Sequence, residues 1–62
     1  TGRLSIMPYL IAGMEDKDRY TRWHAAKGLG RFAGSNDARE ALVNGLSDND
    51  PHVRRRSARS LC

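Results

Sequence analysis

Residues 10–30 have the sequence LIAGMEDKDRYTRWHAAKGLG, and residues 42–62 have the sequence LVNGLSDNDPHVRRRSARSLC. A shift of 32 positions places the first stretch on the second without a gap, and seven of the 21 aligned positions are identical. The identical pairs are Leu10/Leu42, Gly13/Gly45, Asp16/Asp48, Asp18/Asp50, Arg22/Arg54, Ala26/Ala58 and Leu29/Leu61. A period of this length is typical of repeat proteins, whose units stack on one another. We therefore predict two structural repeats, residues 1–34 and residues 35–62, that form one unit.

Two helices are predicted in the first repeat. The chain has thirteen Ala and Leu residues but only six Val, Ile and Thr, which favours helices over strands. Apolar residues at helical spacing predict a first helix over residues 4–14, which Pro8 should either kink or begin. A second helix should start after Asp18 as its N-cap, run to Ala33 and end at Gly34.

The second repeat has clearer signals for the start of each helix. Asp37 and Glu40 have the spacing of a capping box, so a third helix should begin near Asp37 and end near Leu46. Asp50 followed by Pro51 predicts the start of a fourth helix, because proline is well tolerated at the first helical position. This helix should still be continuing at the last residue, as expected of a piece from a longer repeat protein. The predicted fold is all-α.

Length, composition and charge restrict the class of protein. A chain of 62 residues holds at most one small fold, and no apolar run is long enough to cross a membrane. The single cysteine, Cys62, excludes an internal disulfide and a zinc site built on cysteines. The net charge is +4, and residues 51–62 contain four Arg and no acidic residue, which is compatible with an acidic or phosphate-bearing partner. No leader sequence is recognisable, and we expect an intracellular, cytoplasmic protein.

One pair of equivalent residues departs from the amphipathic pattern. On a helical wheel Arg22 falls within the apolar arc of the second helix, and Arg54 does the same in the fourth. A guanidinium group on a core face needs a partner, and Asp16 and Asp48 lie six residues earlier in their respective repeats. We predict hydrogen-bonded Asp–Arg pairs that tie the turn between two helices to its own repeat or to the neighbouring repeat.

The repeated residues resemble a known family. The first copy has the pattern Pro8-x-Leu10-x3-Met14-x-Asp16-x-Asp18-x2-Thr21-Arg22-x2-Ala25-Ala26-x2-Leu29-Gly30, and the second has Leu42-x3-Leu46-Ser47-Asp48-x-Asp50-Pro51-x-Val53-Arg54-x3-Ala58-x2-Leu61. Both resemble the HEAT repeat, and the short period is similar to the compact subtype found in phycobilisome-lyase-like proteins. The resemblance implies an α-solenoid of stacked helix pairs that serves as a binding scaffold.

The resemblance also implies where a binding surface lies. In HEAT-like solenoids the second helix of each pair lines the concave side, so the basic residues of the second and fourth helices should share that side. These residues, named here the basic strip, are His24, Lys27, Arg31, Arg55, Arg56 and Arg59. The strip suits an acidic protein segment or the phosphates of a nucleic acid, and a solvated helix face without any partner is the alternative.

No catalytic or metal-binding site is predicted. His24 and His52 are 28 residues apart at non-equivalent positions, so they do not have metal-ligand spacing. The Asp-x-Asp turn at residues 48–50 lacks the glycine and the terminal glutamate of a calcium loop. The same turn recurs at residues 16–18, which favours helix capping for both. We therefore expect no cofactor.

These observations predict a non-catalytic scaffold for protein–protein interaction, a segment of a HEAT-like solenoid with a basic concave strip. The main alternative is a nucleic-acid-binding solenoid that contacts phosphates through the same Lys and Arg residues. A further alternative is an accessory or lyase-like subunit of an enzyme complex. We expect no membrane partner. Two repeats leave apolar surface at both ends, so the isolated chain should be marginally stable or should self-associate.

Overall fold

The computed structural model describes the backbone of residues 2–62 and the side chains of residues 6–62. Its four helices are α1 (Gly2–Gly13), α2 (Arg19–Leu29), α3 (Asn36–Gly45) and α4 (Pro51–Leu61). Helices α1 and α2 form one hairpin and α3 and α4 form the other, and the described residues contain no strand. The predicted all-α fold of two helical hairpins is confirmed.

Aspartate residues are the N-caps of the second helix of each hairpin. Asp18 Oδ1 accepts a hydrogen bond from the backbone N–H of Tyr20 at 3.2 Å. Asp50 Oδ2 accepts from two backbone N–H groups, those of His52 and Val53, both at 3.1 Å. These bonds satisfy donors that have no partner within the helix itself, so the N-caps form from residues within one turn of each start.

Helix α2 ends earlier than predicted. Its last residue is Leu29, and Gly30–Phe32 forms a 3-10 turn instead of continuing the α-helix to Ala33. Glycines at positions 28 and 30 are unfavourable in an α-helix because they lose more backbone entropy than other residues. Gly30 is nevertheless suited to this position, since a Cβ atom there would lie 3.0 Å from the Ser60 hydroxyl.

The third helix begins at Asn36, near the predicted start, but the predicted capping box does not form. The N-cap of α3 is Ser35, so Asp37 lies within the first turn and does not form a capping box with Glu40. The Asp37 carboxylate is instead close to the positive end of the helix dipole, where a negative charge is favourable. In α1, Pro8 lies inside the helix and does not mark its start.

The core lies where the two hairpins meet. It is built from small and aliphatic side chains: Ala26, Leu29, Ala38, Ala41 and Leu42. Partly buried side chains close it from the outside: Met7, Leu10, Ile11, Met14, Phe32 and Leu61. The Ser60 hydroxyl donates a buried hydrogen bond of 2.8 Å to the Ala26 carbonyl and links α4 to α2. No helix of the described part of the chain is both long and apolar enough to span a bilayer.

Candidate binding surface

Trp23 joins the basic residues of α2 to those of α4. The Lys27 ammonium lies 5.6 Å from the centre of the indole ring, and the Arg56 guanidinium lies 5.7 Å from it. Both distances are in the range of cation–π attraction. The His24 ring meets Trp23 edge-on, with 5.0 Å between the ring centres. Trp23 therefore holds cations from two repeats near one another.

Four residues of the basic strip line one open groove of about 860 Å³. They are His24, Lys27, Arg31 and Arg56. The same groove has an apolar part, to which Ile6, Leu10, Gly28 and Phe32 contribute. The groove thus combines positive charge with apolar surface, a combination that suits a peptide carrying both acidic and apolar side chains.

The other residues of the basic strip lie in a smaller depression of about 170 Å³. Arg55, Arg56 and Arg59 line it together with Trp23 and His52. Arg56 belongs to both the groove and the depression, so the two adjoin. All six residues of the basic strip are therefore brought to one continuous part of the surface.

The positive charges of the basic strip are not neutralised by carboxylates. Within residues 6–62 the ion pairs are Arg19–Asp50 at 3.7 Å and Arg22–Asp48 at 2.8 Å, and neither includes a residue of the strip. The Nε atom of Arg56 is buried and has no hydrogen-bond partner among the described residues. Arg56 as a whole is half-buried and lines the groove, so other atoms of its side chain remain accessible to a ligand.

Two aromatic residues of this surface were not predicted as part of it. His52 and Trp23 both line the depression around Arg55. The position of His52 could have been predicted from spacing, because it precedes Arg56 by four residues and therefore lies on the same helix face. The position of Trp23 beside Arg56 depends on how α2 packs on α4, for which the sequence has no local signal.

His24 and His52 also line a second depression, of about 430 Å³, near the start of α2 and α4. Asp50 and Arg19 contribute to it. The neighbouring Tyr20 side chain, and after it the Asp50 carboxylate, raise the pKa of the Arg19 guanidinium above its ordinary value. Within the described side chains, no three His, Cys, Asp or Glu residues are close enough to hold a metal ion.

Arg22 connects the two repeats through Asp48. Its Nε donates to Asp48 Oδ2 at 2.8 Å and its Nη2 donates to Asp48 Oδ1 at 3.2 Å, while Asn49 Oδ1 accepts a further bond. Its Nη1 donates to the backbone carbonyls of Asp16 and Lys17. The Arg22 and Asp48 side chains are only 13% and 11% exposed, so this is a largely desolvated bidentate pair.

Arg54 and Asp16, the equivalent residues of the other repeats, are placed differently. Arg54 Nη1 donates to the backbone carbonyl of Asp48 at 2.8 Å, and its side chain makes no bond to the Asp48 carboxylate. Asp16 Oδ1 accepts from the backbone N–H of Asp18 at 2.9 Å and is exposed. Of the four residues predicted to form Asp–Arg pairs, Arg22 and Asp48 are thus bonded to each other, across the repeat boundary.

The two helical hairpins agree with the comparison with known proteins. A family model described as HEAT repeats matches residues 7–62, which is most of the chain. No solved structure matches the chain. The match covers both hairpins, and the protein therefore belongs to the HEAT-repeat family.

Proposed function

We propose that the basic strip binds an acidic segment of a partner protein. HEAT repeats generally form scaffolds for protein–protein interaction and are typically non-catalytic. The observation that carries the proposal is a groove lined by cations that have no carboxylate partner among residues 6–62. A carboxylate from a partner would form charge-assisted hydrogen bonds with these cations.

The apolar part of the groove favours a particular kind of acidic segment. Ile6 is 48% exposed, and it lines the groove together with the partly buried Leu10 and Phe32. A segment in which acidic and apolar residues alternate or recur would bury this apolar surface while its carboxylates meet Lys27, Arg31 or Arg56. Burial of the apolar side chains would add affinity that salt does not screen, whereas the charges would mainly raise the association rate.

Nucleic acid is the less favoured ligand for this surface. Proteins that bind single strands without sequence preference usually stack several bases on aromatic side chains. The Phe32 ring in the groove is partly buried. The Trp23 ring lies beside the basic strip, and the Lys27 and Arg56 cations are already 5.6 Å and 5.7 Å from its centre. A base stacking on this ring would have to displace one of these contacts.

Titration with defined ligands tests the proposal. The ligands are a labelled peptide of alternating Glu and Leu, a single-stranded oligonucleotide and a duplex, each measured from low to high salt. The triple change of Arg55, Arg56 and Arg59 to Ser should weaken peptide binding at low salt by about tenfold or more and flatten its salt dependence. Arg39→Ser is the matched control, because Arg39 is exposed on α3 and lines neither the groove nor the depression.

Each other outcome has a defined meaning. Tighter binding of either oligonucleotide than of the peptide at every salt concentration would assign the strip to nucleic acid. If the loss in binding free energy per positive charge removed is the same for the triple variant as for Arg39→Ser, only net charge matters. If the triple variant binds all three ligands as the wild type does, the basic strip is a solvated helix face without a binding role.

A further inference from the structure

Equivalent residues of the two repeats differ in exposure, and the difference marks an open face on the second repeat. Ala26 is fully buried, whereas Ala58, its equivalent, is exposed. Val43 and Leu46 are 51% and 41% exposed, although their equivalents in the first repeat pack against the core. We name this the C-terminal face, formed by Val43, Leu46, Arg54 and Ala58. It presents to solvent the surface with which the first repeat contacts the second.

The first repeat has the complementary open face. Ala41, Gly45 and Val53 of the second repeat are buried where the first repeat packs on it. Their equivalents instead line an open depression of about 410 Å³. We name this the N-terminal face, formed by Tyr9, Gly13, Asp16 and Thr21. It corresponds to the surface of the second repeat that is in contact with the first repeat.

Both halves of an Asp–Arg pair are present on these two faces. Arg54 Nη1 donates to the Asp48 carbonyl at 2.8 Å, as Arg22 Nη1 donates to the Asp16 carbonyl at 2.8 Å. Unlike Arg22, however, Arg54 uses neither Nε nor Nη2 in a hydrogen bond to any residue within the range 6–62. Its guanidinium group is therefore held on its own turn with two donors available.

Asp16 is held in the same way as Asp48. Its Oδ1 accepts from the backbone N–H two residues later at 2.9 Å, and Asp48 Oδ1 accepts the equivalent bond at 2.9 Å. The described residues supply no hydrogen bond to Asp16 Oδ2, the oxygen that in Asp48 accepts from Arg22 Nε. The Asp16 carboxylate of the N-terminal face is thus oriented on its turn like the Asp48 carboxylate, which accepts hydrogen bonds from Arg22.

We infer that copies of this chain associate head to tail, with the C-terminal face of one copy on the N-terminal face of the next. Arg54 of one copy bonds to Asp16 of a second copy, as Arg22 bonds to Asp48 within the chain. Leu46 packs against Gly13 of the second copy, just as Met14 reaches within 2.7 Å of a Cβ position on Gly45. Because the two faces differ, the contact does not close on itself, and further copies add to the end.

One residue makes the contact between copies less favourable than the contact within the chain. Tyr9 is 77% exposed and occupies the position of Ala41, which is 8% exposed where the first repeat covers it. A second copy must pack around the tyrosine ring or displace it from the N-terminal face. Tyr9→Ala is therefore expected to raise the association constant, by about tenfold or more if the ring obstructs the contact.

Sedimentation velocity of the whole chain over a wide concentration range tests the inference. Arg54→Leu and Asp16→Asn should each lower the association constant by about tenfold or more. The Asn side chain retains an oxygen for the Asp18 N–H, so this variant removes the charge with little change to the turn. If the two side chains contact each other, the double variant should associate no more weakly than either single variant. Arg59→Ser, a change in the basic strip, is the control and should associate like the wild type.

Three results would overturn the inference. The first is that the wild-type chain stays monomeric at every concentration, and the second is that neither variant weakens association. The third is that the effects of Arg54→Leu and Asp16→Asn on the free energy of association are additive. Circular dichroism of each variant checks that its helices are intact. If Arg54→Leu does not fold, Asp16→Asn alone decides. Binding of the acidic peptide should be unaffected by Asp16→Asn, so this result is independent of the function proposed for the basic strip.

Discussion

At the scale of single residues, the same two side-chain types have several roles in each repeat. Asp48 accepts the N–H of Asp50 and also two N–H groups of Arg22, while Asp50 caps α4. Arg22 donates with Nη1 to its own turn and with Nε and Nη2 to the next repeat. This sharing explains how an arginine can lie on the core side of α2, since all its groups have partners that offset its desolvation.

Removal of Arg22 should destabilise the fold more than removal of Arg54. Arg22→Leu leaves the largely buried Asp48 carboxylate without its cation, at a cost of about 1–4 kcal/mol in the free energy of unfolding. Arg54→Leu removes bonds only from an exposed side chain and should cost clearly less. The measurement is urea unfolding, including the double variant Arg22→Leu with Asp48→Asn. Strictly additive effects of these two changes would contradict the pairing, because coupled residues are not additive.

At the scale of helices, the spacing between α3 and α4 depends on one glycine. A Cβ atom on Gly45 would overlap the Ser57 hydroxyl and would lie 2.7 Å from the terminal methyl of Met14. The backbone of Gly45 does not have positive φ, so close approach, and not conformation, is the reason for glycine at this position. The contact joins α3 to α4 and to the end of α1.

Gly45→Ala should therefore separate these helices. We expect a loss of about 1–3 kcal/mol in the free energy of unfolding, as for other residues that overfill a packed interior. Gly34→Ala is the matched control, because nothing lies within 4 Å of a Cβ atom there and its φ is not positive. It should be neutral or slightly stabilising, since alanine restricts the unfolded chain more than glycine does. Equal stability of the two variants in chemical unfolding would contradict the close packing at Gly45.

At the scale of the whole molecule, the two ends differ from the middle. The fully buried apolar side chains lie mainly between the hairpins, whereas Tyr9, Val43 and Leu46 are exposed at the two open faces. A repeat protein gains much of its stability from the contacts between neighbouring units. A chain with a single such contact has a small core, and its stability should depend on whether the open faces are covered.

The thermal midpoint of the chain should be low and should rise with protein concentration. We expect a midpoint near or below the mesophile range of about 45–65 °C at low concentration, because only one contact between repeats stabilises the fold. Association stabilises the folded state by mass action, so the midpoint should increase when more of the chain is associated. Differential scanning calorimetry at several concentrations measures this. A midpoint far above that range and independent of concentration would contradict the expectation.

Much of the fold could be predicted because its signals are local or periodic. The N-caps at Asp18 and Asp50 need only backbone donors two or three residues away, so residue type and position suffice to predict them. The N-cap of α3 was predicted wrongly because Ser35 and Asp37 are both residue types that suit an N-cap, and only the folded turn selects Ser35. The end of α2 was predicted too late. Gly28 and Gly30 pack closely against neighbouring side chains, so the sequence alone did not show that the helix ends between them.

The sequence alone determined the two-repeat organisation, the helical hairpins and the helix faces to which the basic residues belong. These follow from the period of 32 residues and from the helical period, which act along one stretch of chain. The tertiary structure alone decided that Arg22 bonds to Asp48, 26 residues away, and that Trp23 lies between Lys27 and Arg56. The physical reason is that contacts between α2 and the second hairpin depend on the distance and angle at which the helices pack. Those quantities are set by small residues such as Ala26 and Ser60 at the points of closest approach, and no pattern within a single helix specifies them.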